Sequence, residues 1–504
     1  MREEELKFAV HGRFTLPDLS GVVEDARMRS LGRRRLLAVY FDTPDLRLAR
    51  AGVTLRHRTG EEGLPWQLKL ATGAVNVREE LGADGPADEP PPAALTELVT
   101  AWLRGGTLHP VATLRTDRTT HLLERPTGAD GVTVLAEIVD DTVSVMDGLK
   151  VLSRFREVEV ERRDGDADLL PRIAEELVAA GAVGGEFTPK VVRALGPRAV
   201  APPDISVPSP PLPAAPAADT VSYALRATVR RLLEYDVRVR RDEPDAVHQM
   251  RVCCRRLRSD LRTFAPLVDP EWAAPLVEEL RWLADALGGP RDAEVLRARL
   301  HATAHADPLA PVDADAIARM DEELAERDER ARTDLAEAMR TPRYVTLLEC
   351  LVDAANAPVL TGRSSKPATA VLPGVVGGAW RSLAKSVRKL DPGAPDEVWH
   401  TARKRAKRAR YAAEAASATL GDDAVRLGKA GAKVQQVLGE HQDAAVAAQE
   451  WLDIAAHHPA DPVLVLTAGR LAERERAAVR AARAAFAKVW KKASRAKVTG
   501  WLPA

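Results

Sequence analysis

The chain has 504 residues, enough for two or more domains, and its 73 basic and 73 acidic side chains cancel to a formal net charge of zero. No global field draws such a chain to nucleic acid or to a membrane, so any anion site must be local. Cys253, Cys254 and Cys350 offer no CxxC pair, zinc spacing or even-numbered disulfide frame, and no run nears the roughly 18 apolar residues of a membrane span; the expectation is a soluble protein of the reducing cytoplasm with no membrane partner.

The first predicted element is an extended segment, EEELK. Glu3, Glu5 and Lys7 share one of its faces and Leu6, Phe8 and Val10 the other, because successive strand side chains alternate. A face charged in this way must line something polar. Period-two alternation then marks RRRLLAVYFDT, GVTLRHR, with Arg56 and Arg58 at one parity, and WQLKLAT. It returns in GVTVLAEIVDDTVSV and in SRFREVEVE, where Glu157, Glu159 and Glu161 alternate with Val158 and Val160. Helices are expected near residues 17–31, 93–104 and 166–181. This part reads as α+β with a mostly antiparallel sheet, several strands of which aim charge inward. Acids at that density beside basic residues suit a polyanion held through a divalent metal, since carboxylate oxygens are hard ligands and Lys or Arg meets phosphate directly.

Proline recurs too often over residues 201–218 for helix or central strand, which predicts a semi-rigid linker between domains at 1–200 and 219–495. Beyond it the chain is rich in Ala, Leu, Arg and Glu at helical spacing and should be all-α. Spacing also reveals an internal repeat: His248 and Asp292 lie 44 positions apart, and His400 and Asp443 lie 43 apart. A loop over 357–373 is expected between the two copies. In the first copy His248, Arg251, Arg255 and Arg258 fall in one helical stripe about 80° wide, opposite Met250, Leu257, Leu261 and Phe264. His400, Arg403, Lys407 and Arg410 repeat the offsets above a face of small residues, Ala402, Ala406, Ala409 and Ala413. Like charges at this spacing repel. A multivalent anion would neutralise them; the plainer alternative is a solvated face balanced by acids such as Glu279 or Glu414. Asp292 and Asp443, each following LG and preceding an apolar run, are expected to cap helices, and the three cysteines to be small core residues.

At this point a resemblance carries the reading further. Glu3, Glu5 and Lys7, Tyr40 and Asp42, Arg56 and Arg58, Lys69, Arg78 and Glu80, Arg115 and Arg118, Glu137 and Asp141, the acids Glu157, Glu159 and Glu161, and Lys190 form an ordered set. That set resembles the CYTH domain of the triphosphate tunnel metalloenzyme superfamily. The resemblance implies a closed eight-stranded antiparallel β tunnel with flanking helices. In it Lys7, Arg56, Arg58, Lys69, Arg78, Arg115 and Lys190 would hold triphosphate. Glu3, Glu5, Glu137, Asp141, Glu157 and Glu159 would hold Mg2+ or Mn2+, and Glu3, Glu5 and Lys7 would serve catalysis.

The helical part is similar to CHAD domains, which implies two pseudo-symmetric helical bundles whose basic stripes bind inorganic polyphosphate through His248, Arg251, Arg255, Arg258, His400, Arg403, Lys407 and Arg410. Together the resemblances imply metal-dependent hydrolysis of inorganic triphosphate coupled to polyphosphate binding, in the cytoplasm and at polyphosphate granules. The alternatives are a polyphosphate-localising protein with an idle tunnel, or the thiamine triphosphatase and adenylate cyclase activities of the same superfamily. Nucleic acid is not the expected partner, because single-strand binding interleaves aromatics with cations and Tyr411 is the only aromatic in the second stripe.

Overall fold

The computed structural model describes residues 2–71, 77–127, 131–184 and 189–503, with side chains over the same ranges apart from Arg2, Glu3 and Val77. The chain divides into two compact units, Met1–Asp204 and Ile205–Ala504.

The described residues of the first unit form nine antiparallel strands. They are β1 (Arg2–Val10), β2 (Arg27–Asp42), β3 (Thr54–Thr59), β4 (Trp66–Ala71), β5 (Val77–Ala83), β6 (His109–Thr127), β7 (Gly131–Asp147), β8 (Lys150–Arg162) and β9 (Val183–Gly184). Their order is β5-β4-β3-β2-β6-β7-β8-β1-β9, and β1 pairs in addition with β5, where Glu3 stands opposite Arg78. The expected count was eight; the ninth is a two-residue strip lying against Phe8 and Ala9 of β1. One unpaired extra residue, Leu31 in β2, Leu135 in β7 and Leu152 in β8, shifts the register and bends each of these long strands. The first shift is available because Gly32 adopts φ +89°, a left-handed conformation that favours glycine.

Five short α-helices among the described residues flank the sheet: α1 (Arg47–Arg50), α2 (Ala93–Thr96), α3 (Thr100–Leu103), α4 (Leu169–Ala179) and α5 (Lys190–Leu195). Leu169, Leu170, Ile173 and Leu177 of α4 cover Phe8, Ile138, Val158 and Val160, so the apolar parity of β1, β7 and β8 is used up in a core. The charged parity is left to face the other way. The helix expected over 17–31 is a single 3-10 turn, Ser20–Val22, and β2 already begins at Arg27. Pro17 and Gly21 interrupt any helical run there.

In the second unit every described element of regular length is helical: α6 (Ala217–Arg240), α7 (Ala246–Thr263), α8 (Pro270–Ala286), α9 (Gly288–Ala304), α10 (Ala314–Arg340), α11 (Pro342–Asn356), α12 (Ala368–Val387), α13 (Asp396–Leu420), α14 (Asp422–His457), α15 (Pro462–Ala493) and α16 (Ala496–Thr499). The two copies of the repeat begin side by side. The Ala217 N–H donates to the Lys366 carbonyl and the Ala368 N–H to that of Ala215, both at 2.9 Å. The loop expected over 357–373 is shorter, because a 3-10 turn occupies Gly362–Ser365 and α12 starts at Ala368. Met250, Leu257, Leu261 and Phe264 are buried, as are Ala402, Ala406, Ala409 and Ala413, which leaves both basic stripes on the free sides of α7 and α13. Cys253 and Cys254 are buried, but Cys350 is exposed. It lies about a quarter of a turn around α11 from the buried stripe of Leu347, Leu351 and Ala355. No helix among the described residues is long and apolar enough to cross a membrane.

Candidate active site and anion-binding helices

Strand register assembles the first site. Lys7 of β1 lies opposite Glu159 of β8, and Glu5 opposite Glu161. Across the other edge of β8, Val139 faces Glu159 and Asp141 faces Glu157. All share the parity that points away from α4. On the far strands Tyr40 faces Arg56, Thr54 faces Lys69 and Lys69 faces Glu80. These side chains meet around a cavity of about 160 Å³. Its walls include Glu5, Lys7, Arg56, Arg58, Lys69, Arg78, Arg118, Glu137, Glu159, Glu161, Arg163 and Lys190, together with Glu61 and Glu80. Basic side chains outnumber acidic ones eight to six among the residues lining it, so a polyanion meets a surplus of donors while carboxylates stay within reach.

The charges hold one another. Lys190 Nζ lies 3.0 Å from Asp141 Oδ2, 3.0 Å from Glu157 Oε1 and 2.6 Å from Glu159 Oε1. Lys7 donates to Glu159 and lies 3.5 Å from Glu5 Oε2. Arg118 makes a bidentate pair with Asp141, at 3.0 and 2.8 Å. Burial would raise the Asp141 and Glu157 carboxyls, but Lys190 together with Arg118 or Lys7 holds both below the usual carboxylate range. Burial likewise opposes ionisation of Glu5, and Lys7, Lys69 and Lys190 overcome it. For Lys7 burial wins: with Lys190 also beside it, its ammonium falls to about 7 despite Glu5 and Glu157. Arg56 is set in place by donating from Nε to Gln67 at 2.8 Å and from Nη1 to the Tyr40 hydroxyl at 3.2 Å. Asp42 has a structural part, accepting from the N–H groups of Thr43, Leu48 and Ala49 at the turn into α1.

Of the expected phosphate ligands, Lys7, Arg56, Arg58, Lys69, Arg78 and Lys190 line this cavity, and Arg115 does not. β6 runs without a register shift from Arg115 to Arg118, so residues three apart stand on opposite faces; Arg118 takes the inner position. Of the expected metal ligands, Glu5, Glu137 and Glu159 line the cavity. Asp141 and Glu157 are wholly buried and touch Lys190, and the side chain of Glu3 lies outside the described residues. Glu137 is paired with Arg163 at 2.7 Å. Sequence reasoning missed Glu61 and Arg163. Arg163 continues the parity of Glu157, Glu159 and Glu161 one step past the end of β8, a signal that was present; Glu61, in the β3–β4 turn, carried none.

Among the described residues no three His, Cys, Asp or Glu side chains group as a ready metal site. The donor chemistry nevertheless fits a hard divalent cation. Glu5 Oε1 is buried and accepts no hydrogen bond, and the carboxylate of Glu161 stands opposite Glu5 in the strand register.

On the second unit, Arg255 of α7 donates from Nε to the Tyr411 hydroxyl of α13 at 3.0 Å, which brings the two stripes together. Lys407 has Arg403 on its own helix and Arg255 and Arg251 across from it. Arg410 donates to Glu414 at 2.6 Å, and Arg256 reaches the same carboxylate at 3.2 Å, so Glu414 does balance part of the stripe; Glu279 instead pairs with Arg343. Arg403 and Arg258 each bury an Nε–H that has no hydrogen-bond partner. Burial, with Arg291 near His248 and Lys404 and Arg403 near His400, lowers both imidazoles, and His400 Nδ1 lies 2.5 Å from Gln442 Oε1. Asp292 and Asp443 cap nothing. They lie inside α9 and α14, where they accept from Arg251 at 2.6 Å and from Arg403 at 3.1 Å.

Comparison with known proteins fits this division. Residues 1–194 match the CYTH domain family and residues 223–452 the CHAD domain family. The chain is 34% identical over 483 residues to "Uncharacterized protein Rv2226" of Mycobacterium tuberculosis, covering 90% of this chain and 88% of that one. Among solved structures, PptA from Streptomyces chartreusis is 27% identical, covers 55% of this chain and 100% of its own, and superposes with a TM-score of 0.47. The CHAD domain from the plant Ricinus communis is 24% identical, covers 55% and 95%, and gives 0.44. The chain belongs to the family of proteins in which a CYTH domain is followed by a CHAD domain.

Proposed function

We propose that residues 1–200 hydrolyse inorganic triphosphate, or a related triphosphate, with the help of Mg2+ or Mn2+, and that residues 219–495 bind inorganic polyphosphate. The observation that carries the first half is the cavity wall, where Lys7, Arg56, Arg58, Lys69, Arg78, Arg118 and Lys190 converge on one small volume beside carboxylates. The pairing of β1 with β5 supports reading the sheet as a closed tunnel. Glu3, Glu5, Glu157 and Glu159, with Glu137 and Asp141 near them, would hold the metal. When bound, it supplies charge that offsets the phosphates and polarises their phosphorus–oxygen bonds. The arginines orient the chain of phosphates by bidentate donation, and Lys7 and Lys69 add point charges. As the anhydride bond breaks, negative charge grows on the bridging oxygen, and these fixed donors stabilise it without having to reorganise.

Tyr40 is the one aromatic ring in the described cavity wall, and Trp66 is wholly buried between Phe41 and His57. Inorganic triphosphate therefore fits better than a substrate with an organic base. For the second unit, the buried, unsatisfied Nε–H groups of Arg403 and Arg258 favour an anionic ligand over a merely solvated face.

The test is phosphate release from tripolyphosphate by the full chain with Mg2+ or Mn2+. Glu5→Gln should lower turnover at least about 100-fold, and unchanged turnover would end the proposal. A second reading, a polyphosphate-localising protein with an idle tunnel, is favoured by one observation: Lys190 already satisfies three of the acids. Polyphosphate binding by a wild-type chain that releases no phosphate from tripolyphosphate would select it.

A further inference from the structure

Among the described residues of the cavity wall, five carboxylates stand on strands, those of Glu5, Glu80, Glu137, Glu159 and Glu161, and a sixth, Glu61, reaches in from the turn between β3 and β4. Thr59, Gly60, Glu62, Gly63 and Leu64 are exposed, and Glu61 in their midst is drawn inward. Its Oε2 pairs with Arg58 Nη2, and its Oε1 lies 3.5 Å from Arg118 Nη1. Arg118 spends its other two nitrogens, Nε and Nη2, on Asp141 at 3.0 and 2.8 Å. Glu61 thus covers donors on two guanidiniums that would otherwise meet phosphate.

The turn that carries Glu61 is anchored at its base. The Arg58 N–H donates to the Pro65 carbonyl at 2.8 Å, which closes it. Gly60, at φ +93°, approaches β2 so closely that a Cβ there would lie 2.2 Å from the Arg35 carbonyl oxygen. The carboxylate is therefore a fixed charge, and because a turn lies where its strands stop, it bounds the cavity at one end. We propose that Glu61 is a specificity-determining residue, an acidic end stop that admits a chain of three phosphates and rejects a fourth. A chain held by Lys7, Arg56 and Lys69 that grew by one unit toward Arg58 and Arg118 would set new negative charge against this carboxylate, with the donors it needs already taken. Tripolyphosphate ends short of that point. Longer polyphosphates are excluded for the same reason. The inference rests on reading the cavity as a triphosphate site.

The experiment compares tripolyphosphate with tetrapolyphosphate on the full chain, by kcat/KM with Mg2+ and by calorimetric titration in EDTA. The helical unit is the same in every variant, so its own binding cancels when the chains are compared. Glu61→Gln keeps the size of the side chain and removes its charge. It should raise the ratio of tetrapolyphosphate to tripolyphosphate about tenfold in both measurements. Glu62→Gln, in the same turn but not in the cavity wall, should leave that ratio at the wild-type value. If Glu61 only steadied Arg58 and Arg118, its loss would weaken both ligands together, and an unmoved ratio in Glu61→Gln would overturn the end stop. A wild-type chain that binds tripolyphosphate without cleaving it would overturn the hydrolase reading alone, because the ratio of affinities would still decide this one. A chain that neither binds nor cleaves tripolyphosphate would overturn both.

Discussion

Asp141 and Glu157 are direct cross-strand partners on β7 and β8, and the ammonium of Lys190 stands 3.0 Å from an oxygen of each. Two carboxylates opposed in this way repel, and both are fully buried. The ammonium is the one cation among the described residues that reaches both, and with Arg118 on Asp141 and Arg193 on Glu157 it keeps the pair ionised. Lys190→Met removes it and leaves the two buried carboxylates one cation short, with Arg118 on Asp141 and Arg193 on Glu157 still paired to them, a change that costs on the order of 3 kcal/mol. In EDTA the first calorimetric transition of the variant should fall by roughly 8 °C. Millimolar Mg2+ should restore much of the difference, because a divalent cation can replace the ammonium among the same oxygens. A variant that melts with wild type in EDTA would show that Lys190 does not hold this cluster.

The exchange of roles between Arg115 and Arg118 gives a second test. Arg118 lines the cavity and grips Asp141 with two hydrogen bonds, whereas Arg115 stands on the opposite face of β6. Arg118→Gln should reduce kcat/KM for tripolyphosphate about tenfold or more, and Arg115→Gln should stay within about twofold of wild type. The reverse ordering would place the phosphate path on the outer face of the sheet.

That exchange also shows where the sequence stops being legible. The charged alternation of β1 and β8 was readable because each strand sets charge at every second residue against Leu, Phe or Val. The fold needs no further information to decide which face α4 covers. β6 hides the same signal. Its 19 residues mix Thr, Arg, Asp and His on both faces, so neither its existence as a strand nor its inner parity stands out. The ends of elements were least legible. Arg163 acts from beyond β8, and Glu61 comes from a turn whose direction depends on how β3 meets β4. In the helical unit the 100° wheel gave the stripes directly. It could not give their partners, since Asp292 and Asp443 reach Arg251 and Arg403 through packing between helices.

Asp260 predicts a pH effect. Its side chain is completely buried on α7, both carboxylate oxygens lack hydrogen-bond partners, and Arg256 Nε stays 3.9 Å away. Burial raises its pKa to about 7, with Arg256 opposing and Glu414 adding to the rise. The folded state therefore binds a proton more tightly than the unfolded chain, whose Asp titrates near 3.9. Below about pH 4 the group is neutral in both states and contributes no penalty. Between about pH 4 and pH 7 the unfolded state gains by ionising while the folded state does not, so stability falls as pH rises, by something on the order of 3 kcal/mol, and then levels off. Asp260→Asn removes that dependence. Its melting point should exceed wild type at pH 8 and the advantage should vanish near pH 4.5; an advantage independent of pH would mean that Asp260 does not titrate in this window.

The last prediction concerns the paired carboxylates of the two repeat copies. Asp443 accepts from Arg403 at 3.1 Å and Asp292 from Arg251 at 2.6 Å, at equivalent points of the repeat. Asp443 is 41% exposed and Asp292 66%, so each pair is the kind of ion pair worth only about 0–1 kcal/mol. Such a contact can steady a guanidinium in the free protein and yield it to a phosphate that offers charge and two acceptors at once. Asp443→Asn removes the competitor for Arg403 and a negative charge beside the bound polyanion. Affinity for long-chain polyphosphate should rise about threefold at low salt. The gain should fade near 0.5 M NaCl, where charges separated by more than a few ångströms are screened. Arg403→Gln should act in the opposite sense and flatten the salt dependence, as expected when one cation no longer meets phosphate. Binding that weakens in Asp443→Asn at every salt concentration would show instead that the carboxylate has to stay on Arg403 for the site to work.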